Sequence, residues 1–154
     1  MVRAFASQDA GAVEELDLMA RRETERVRGG PAWLAEHPPI DPASDGLSIL
    51  VVLIAETVVG FLASHDEDVA GRGRVCSIDR IYVLEQTRGI GCGDLLIETA
   101  SQAARARRCA AIEGEALPGD RETKNLYERA AITARKIVLA RDLNDPSTRE
   151  TVSR

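Results

Sequence analysis

The sequence contains few cysteines and very few lysines. Cys76, Cys92 and Cys109 are odd in number and their spacing fits no metal pattern, which disfavours both a disulfide framework and a metal site. Lys124 and Lys136 are the only lysines, the arginines are interleaved with acidic residues, and the net charge is −5. Because phosphate contacts need clustered basic side chains, this balance disfavours a nucleic-acid partner.

The sequence also lacks long apolar runs. None is long enough to cross a bilayer, and the first eleven residues lack the apolar stretch of a signal peptide. We therefore expect no membrane partner and a cytoplasmic location. The length of 154 residues, with 44% apolar and 29% charged residues, fits one globular domain. We expect this domain to cover residues 1–143 and residues 144–154 to form a disordered tail.

Hydrophobic patterning predicts one central sheet with helices around it. Predicted strands cover residues 2–5, 47–54, 57–64, 75–83, 110–116 and 133–143, and predicted helices cover residues 7–28, 31–37, 94–107 and 120–129. Residues 65–73 are predicted to form a polar loop. Antiparallel hairpins followed by a β-α-β unit indicate an α+β (mixed α/β) domain.

A glycine-rich stretch separates a predicted strand from a predicted helix. The strand ends at Val83, glycines follow at every second position from 89 to 93, and an amphipathic run begins at Asp94. Such a turn directs backbone N–H groups into one hollow, and the helix N-terminus adds a partial positive charge. A phosphate-bearing ligand is therefore expected at this turn.

Two common nucleotide patterns do not fit the stretch. The Walker A pattern requires Lys and then Ser or Thr after its last glycine, where this chain has Asp94 and Leu95. The dinucleotide fingerprint G-x-G-x-x-G requires a glycine at position 94 if it starts at Gly89, or at position 96 if it starts at Gly91. This chain has Asp94 and Leu96 at these positions. Both nucleotide-binding classes are disfavoured.

A third pattern fits. The six residues from Arg88 to Gly93, R-G-I-G-C-G, match R/Q-x-x-G-x-G/A, and a register starting at Gln86 also satisfies the short pattern. The preceding strand ends in I-Y-V, and the following helix carries the aliphatic pair Leu96-Ile97. Together these features resemble the pyrophosphate loop of the GCN5-related N-acetyltransferase (GNAT) family, with Arg88 as the preferred start.

The second half of the chain also resembles this family. The segment D-R-E-T-K-N-L-Y-E-R-A-A-I, residues 120–132, is similar to the family's N-x-x-A-x-x-L-Y-E-x-x-G-F, with L-Y-E matching at positions 126–128. Asp120, Thr123, Ala131 and Ile132 depart from the pattern. The departures leave the tyrosine, Tyr127, in place.

The resemblance implies a GNAT-like single domain, whose mostly antiparallel sheet is splayed between the fourth and fifth strands. It implies acetyl-CoA as cosubstrate, no metal, and direct transfer in a ternary complex to a primary amine of a small molecule or of a protein N-terminus or lysine. The residues that the resemblance places against acetyl-CoA are Ile81, Tyr82, Val83, Arg88, Gly89, Ile90, Gly91, Cys92, Gly93, Asp94, Asp120, Lys124 and Tyr127.

The resemblance also suggests catalytic groups. Tyr127 is expected to protonate the departing sulfur. Glu115 is the leading candidate for the base that deprotonates the amine, and Glu113, Asp79 or a water chain are the alternatives. A catalytically weak regulatory domain that binds CoA or acyl-CoA is the alternative function, and a longer acyl donor or another nucleotide-binding module stays open. Pairing of residues 133–143 with a second copy would give a homodimer.

Overall fold

The structure is a computed structural model that describes residues 1–145. We predicted a disordered tail at residues 144–154, and residues 146–154 of it lie outside the described part of the chain. No helix in the described part of the chain is long and apolar enough to cross a membrane.

Residues 1–145 form five strands and four α-helices. The strands are β1 (Val2–Ala4), β2 (Ser48–Ile54), β3 (Thr57–Val69), β4 (Gly73–Val83) and β5 (Ala111–Gly114), and the helices are α1 (Ala10–Glu25), α2 (Gly30–Glu36), α3 (Cys92–Ala106) and α4 (Arg121–Arg129). The strands form one open sheet in the order β1-β2-β3-β4-β5. All neighbours pair antiparallel except β4 and β5, which are parallel. The predicted mixed α+β fold is confirmed.

The sheet has a hydrophobic core on each face. On one face, hereafter the α1 face, Val13 and Leu16 of α1 pack with Phe61 and Ala63 of β3. On the other, the α3 face, the core includes Leu96 of α3 and Tyr127 of α4, together with sheet residues such as Leu62. Because successive strand side chains point to opposite faces, alternate residues of β3 serve the two cores.

Two irregularities in β4 position the candidate site. Ala63 pairs with Arg80 and Ser64 pairs with Ile78, so Asp79 is an extra, unpaired residue on β4. Such a β-bulge bends the strand and redirects a side chain. The parallel pairing with β5 ends at Ile78 opposite Gly114, and β4 continues to Val83 paired only with β3. A gap therefore opens between the ends of β4 and β5, as predicted for the fourth and fifth strands.

A buried ion pair ties α1 to β4. Arg80 Nη1 donates to Asp17 Oδ1 over 2.8 Å, and the two side chains are 8% and 2% exposed. Asp17 also accepts the N–H of Ile40, and Arg80 donates to the carbonyl of Pro38. Burial lowers the pKa of Arg80, while the charge of Asp17 opposes that shift. These bonds fix the segment after α2 over the α1 face.

Two sequence predictions about strands are wrong. The polar run 65–69, predicted as loop, extends β3, because the ladder with β4 continues to Val69 opposite Gly73. The ladder supplies hydrogen-bond partners for the main-chain N–H and C=O groups of this run, whatever the polarity of its side chains. The predicted strand 133–143 does not form in the described residues, where Ile137 and Leu139 are 78% and 88% exposed. That segment has β-type composition but is not part of the sheet.

Candidate active site

Main-chain groups of β4 line the gap. The N–H of Leu84 donates to the carbonyl of Val59 over 2.8 Å, so these two residues form a hydrogen-bonded antiparallel pair. Hydrogen-bonded and non-bonded pairs alternate along such a ladder. The pairs of Val83 with Gly60 and of Ile81 with Leu62 are therefore the non-bonded ones. The N–H and C=O groups of Ile81 and Val83 consequently point away from β3, into the gap.

A glycine loop connects the end of β4 to α3. Gly89 and Gly91 have φ values of +85° and +90°, in the left-handed region that favours glycine. A Cβ atom at either position would meet nothing within 4 Å, so the loop lies open on that side. Helix α3 begins at Cys92, and Ile90 is 67% exposed. The first N–H groups of α3 lack intrahelical partners, and they directly follow the glycine loop.

The third glycine of the motif has a different role. A Cβ atom on Gly93 would lie 3.1 Å from Cδ2 of Leu126, so this glycine lets α4 approach α3 closely. Asp94, one position later, forms a surface ion pair with Arg129 of α4 at 3.0 Å. Gly93 and Asp94 thus join the two helices that border the gap.

The side chain of Arg88 crosses the gap. Its Nε atom donates to the carbonyl of Val83 over 2.9 Å, Nη1 to Glu122 of α4 over 2.8 Å, and Nη2 to Glu23 of α1 over 2.9 Å. Its main-chain N–H donates to the carbonyl of Glu85 over 3.2 Å. In this structure both the guanidinium and the main-chain N–H of Arg88 are therefore engaged within the protein.

Tyr82 supports this network from the α1 face. Its ring lies 5.3 Å from the guanidinium carbon of Arg88, and its hydroxyl donates to Glu23 over 2.8 Å. Burial is the main reason that the pKa of Tyr82 is raised, to about 12, and Glu23 adds to the shift. The side chain of Tyr82 therefore packs against α1, and only its main chain belongs to the β4 segment that borders the gap.

Tyr127 lies where β4 and β5 separate. Its ring is buried in the α3-face core, and a Cβ atom on Gly114, the last paired residue of β5, would lie 2.8 Å from the Cζ atom of Tyr127 and overlap its hydroxyl. No residue among 1–145 hydrogen-bonds this hydroxyl. Burial raises the pKa of Tyr127, and the charges of Asp120 and Glu115 raise it further. The phenol stays protonated at neutral pH.

The three predicted base candidates all have partners. Glu115 is 73% exposed and accepts a hydrogen bond from Nε1 of Trp33 over 3.1 Å. Glu113 accepts from Arg72 over 2.8 Å. The carboxylate of Asp79 lies 2.8 Å from Nδ1 of His65. All three residues lie within one position of the last paired residues of β4 and β5, Ile78 and Gly114.

Helix α2 and the residue that follows it, His37, contribute side chains whose partners the sequence did not reveal. The rings of Trp33 and His37 stack at 4.1 Å, and the Arg80 guanidinium carbon lies 4.8 Å from the Trp33 ring. Nε2 of His37 lies 3.8 Å from Glu115. No local pattern points to Trp33 or His37, because only the fold brings α2 to the end of β5.

The remaining predicted side chains stabilise α4. Asp120 is its N-cap and accepts the N–H of Thr123 over 3.0 Å. Lys124 Nζ donates to the carbonyl of Pro118 over 2.7 Å. Within residues 1–145, no group of three or more His, Cys, Asp or Glu side chains could hold a metal ion.

Comparisons with known proteins indicate the family of the chain. A model of the acetyltransferase (GNAT) family matches residues 13–131. A comparison with curated proteins finds no significant match.

Three solved structures illustrate the similarity of fold. The BH1408 protein from Bacillus halodurans, in a tetramutant form, is 18% identical with a TM-score of 0.79, covering 93% of this chain and 99% of that one. A ribosomal-protein-alanine N-acetyltransferase from Brucella melitensis is 20% identical with a TM-score of 0.71, covering 92% and 99%. AAC(6')-Iy, bound to a CoA-acetylneamine bisubstrate analogue, is 14% identical with a TM-score of 0.69, covering 92% and 97%.

Proposed function

The chain belongs to the GNAT family of acetyltransferases, and from this premise we propose that it transfers an acetyl group from acetyl-CoA directly to a primary amine, within a ternary complex. The observation that carries the proposal is the direction of the main-chain groups of Ile81 and Val83, which point into a gap that no strand within residues 1–145 fills. An amide-bearing chain such as pantetheine can pair with them as an added strand does.

The glycine loop supplies the anion site at the end of this gap. Gly89 and Gly91 keep the loop open, and the first N–H groups of α3 carry the partial positive charge of a helix N-terminus. We assign the pyrophosphate of acetyl-CoA to the main chain of residues 88–94. With the pyrophosphate there and pantetheine along β4, the thioester lies near the last β4–β5 pair, Ile78 and Gly114.

Tyr127 is the proposed acid. Its protonated hydroxyl lies against Gly114, beside the proposed thioester position, and has no partner among the described residues. As the amine nitrogen attacks the carbonyl carbon and the C–S bond breaks, the phenol can donate a proton to the sulfur. The amine itself must first lose a proton to a group at the same place, where Glu115, Glu113 and Asp79 lie.

The acceptor is a primary amine of a small molecule or of a protein. The structural neighbours named above include one complex with a CoA-acetylneamine bisubstrate analogue and one enzyme named as a ribosomal-protein-alanine N-acetyltransferase. Both kinds of acceptor would reach the thioester from the α1 face, past Trp33 and Glu115.

Thiol release tests the proposal. The full chain is incubated with acetyl-CoA and, separately, spermidine, neamine, lysine or a peptide with an N-terminal alanine, and free CoA is measured with a thiol reagent. We expect release above the rate without amine for at least one acceptor. Binding of acetyl-CoA by calorimetry without release for any amine would favour the regulatory CoA-binding domain, and absence of binding would contradict both functions.

A further inference from the structure

His65 and Asp79 form a half-buried pair. The carboxylate oxygens of Asp79 both lie 2.8 Å from Nδ1 of His65, and the side chains are 41% and 30% exposed. A carboxylate at Nδ1 fixes the ring and its tautomer, and leaves Nε2 to accept a proton. No described residue hydrogen-bonds Nε2. The arrangement is that of an imidazole prepared to act as a base.

The fold places this pair beside the proposed thioester position. Asp79 is the bulged residue of β4 and directly follows Ile78, whose partner on β5 is Gly114. The hydroxyl of Tyr127 lies against the same Gly114 from the α3 face. His65 follows Ala63 by two positions on β3 and therefore lies on the α1 face. Acid and base would thus act from opposite faces of the sheet.

We propose that His65, oriented by Asp79, takes the proton from the acceptor amine. This inference rests on the proposed function and assigns its base, for which the sequence suggested only carboxylates. His65 is the catalytic residue in this proposal because Nε2 touches the amine, and Asp79 is a positioning residue that acts through the ring.

The carboxylate candidates are less suited to this step. Glu115 accepts a hydrogen bond from Trp33 and Glu113 accepts one from Arg72, whereas Nε2 of His65 has no hydrogen-bond partner among the described residues. Asp79 is already bonded to His65. An imidazole, unlike a carboxylate, ordinarily titrates near neutral pH, which favours proton transfer from an ammonium group.

The reaction balances without a further reactant. Neutral Nε2 accepts one proton from R–NH3+ and gives R–NH2, whose lone pair forms the new bond to the thioester carbon. The C–S bond breaks with its electron pair on sulfur, and Tyr127 donates a proton to the thiolate. The attacking nitrogen still carries two protons and loses one of them to solvent, and solvent returns a proton to the phenolate of Tyr127. The imidazolium of His65 releases its proton to solvent.

Charges around His65 set the pH at which it acts. The acidic groups near the ring lie on β3, β4 and β5; they are Asp66, Glu67, Asp79 and Glu113. Arg107 pairs with Asp66 and Arg72 pairs with Glu113. Arg80 pairs with Asp17 of α1. The hydrogen bond to Asp79 is the main reason that the pKa of His65 is raised above 6.5, while burial opposes it. The base form, and with it the rate, should rise with pH above that ordinary value.

The first experiment replaces the ring. With the amine that gives the fastest thiol release, His65→Gln should lower kcat about 100-fold, the lower end of the usual range for a general base. The KM for acetyl-CoA should not change. Added imidazole should restore part of the rate of His65→Ala, a rescue that a purely structural role would not produce. Asp68→Asn, an exposed change on the same strand, is the control and should keep the wild-type rate.

The second experiment moves the acidic limb of the pH–rate profile. Asp79→Asn removes the main cause that raises the pKa of His65, so the limb should shift to lower pH while the acceptor amine stays the same. This variant decides the question even if His65→Gln fails to fold. Two results would overturn the assignment of the base and leave the proposed function standing. One is a wild-type rate and a wild-type acidic limb of the pH–rate profile in His65→Gln. The other is loss of the acidic limb in Glu115→Gln but not in His65→Gln. If wild-type protein releases no thiol with any amine, the proposed function fails.

Discussion

The Nε atom of Arg88 donates to the main-chain carbonyl of Val83 over 2.9 Å, across the end of the gap between β4 and β5. This carbonyl is one of the groups that we assign to pantetheine. The same guanidinium bonds Glu122 of α4 and Glu23 of α1. Binding of acetyl-CoA should therefore displace the side chain of Arg88 from Val83.

We predict that Glu122→Gln increases the affinity for acetyl-CoA. The substitution weakens one anchor of the guanidinium, so less free energy is needed to move it. Glu122 is 73% exposed, and exposed ion pairs contribute about 0.2–1 kcal/mol. The dissociation constant, measured by calorimetry, should fall by up to about fivefold.

Glu128→Gln is the matched control for this prediction. Glu128 is exposed on the same helix and no described residue forms an ion pair with it, so the net charge changes equally while the Arg88 network is untouched. An equal gain in both variants would indicate general repulsion of the anionic cofactor. Weaker binding in Glu122→Gln would instead mean that Glu122 holds Arg88 in a position needed for binding.

Tyr127→Phe tests the proposed acid. We expect kcat for amine acetylation to fall about 100-fold, because a positioned general acid contributes at least that much. The KM for acetyl-CoA should stay within about twofold, since the ring remains in the core and only an unpartnered hydroxyl is lost. An unchanged kcat with a normally folded protein would exclude Tyr127 as the acid.

Gly114→Ala should impair both stability and catalysis. The added Cβ atom would overlap the hydroxyl of Tyr127 and lie 2.8 Å from its Cζ atom, so the ring must shift. Overpacking of this kind costs about 1–3 kcal/mol. Thermal melting should show a lower Tm, and combination with Tyr127→Phe should recover part of it. Additive losses in the double variant would indicate that the two residues do not compete for space.

The buried ion pair of Asp17 and Arg80 should contribute more to the free energy of unfolding than an exposed ion pair does. Asp17→Asn leaves the guanidinium buried without its counter-charge, and breaking such a pair costs about 3–5 kcal/mol. Asp94→Asn, which breaks the exposed pair with Arg129, is the comparison and should cost about 1 kcal/mol or less. Urea denaturation measures both. Equal losses would mean that Asp17 and Arg80 are better solvated than their burial indicates.

Local sequence patterns predicted the parts of the fold that local physics determines. The strand ending at Val83, the glycine loop and the helix beginning near Asp94 appear at or close to the predicted positions, because hydrophobic period and backbone freedom are encoded there. The direction of the Ile81 and Val83 main chain follows from pairing with β3, and the resemblance to the family had placed these two residues against acetyl-CoA.

Features that depend on distant partners could not be read from the sequence. The polar run 65–69 continues β3 only because β4 lies beside it, and Trp33 reaches Glu115 from 82 positions away. The side chain of Arg88 binds three elements at once, which no spacing pattern encodes. His65 is bonded to Asp79 across a bulge whose position the alternation of residues 75–83 did not reveal.

Residues 133–143, which we wrongly predicted to form a strand of the sheet, offer a surface through which the chain could form a homodimer. Ile137, Val138 and Leu139 form an apolar run that is 78–88% exposed. Within residues 1–145, β5 pairs only with β4, so its other edge has no partner strand. The exposed segment of one chain could pair with the free edge of β5 in a second copy. Such pairing would supply hydrogen bonds to the main-chain groups of both strands and cover the apolar side chains.

We expect the wild-type chain to associate through this segment and the double substitution Ile137→Asp with Leu139→Asp to be monomeric. Sedimentation velocity over a range of concentrations measures the difference, because the added charges disfavour burial of the run. Leu18→Asp is the control: Leu18 is 51% exposed on α1, away from β5, so a charge there should leave the dimer intact. A wild-type chain that stays monomeric at about 100 µM, far above the micromolar dissociation constants of modest interfaces, would refute the prediction.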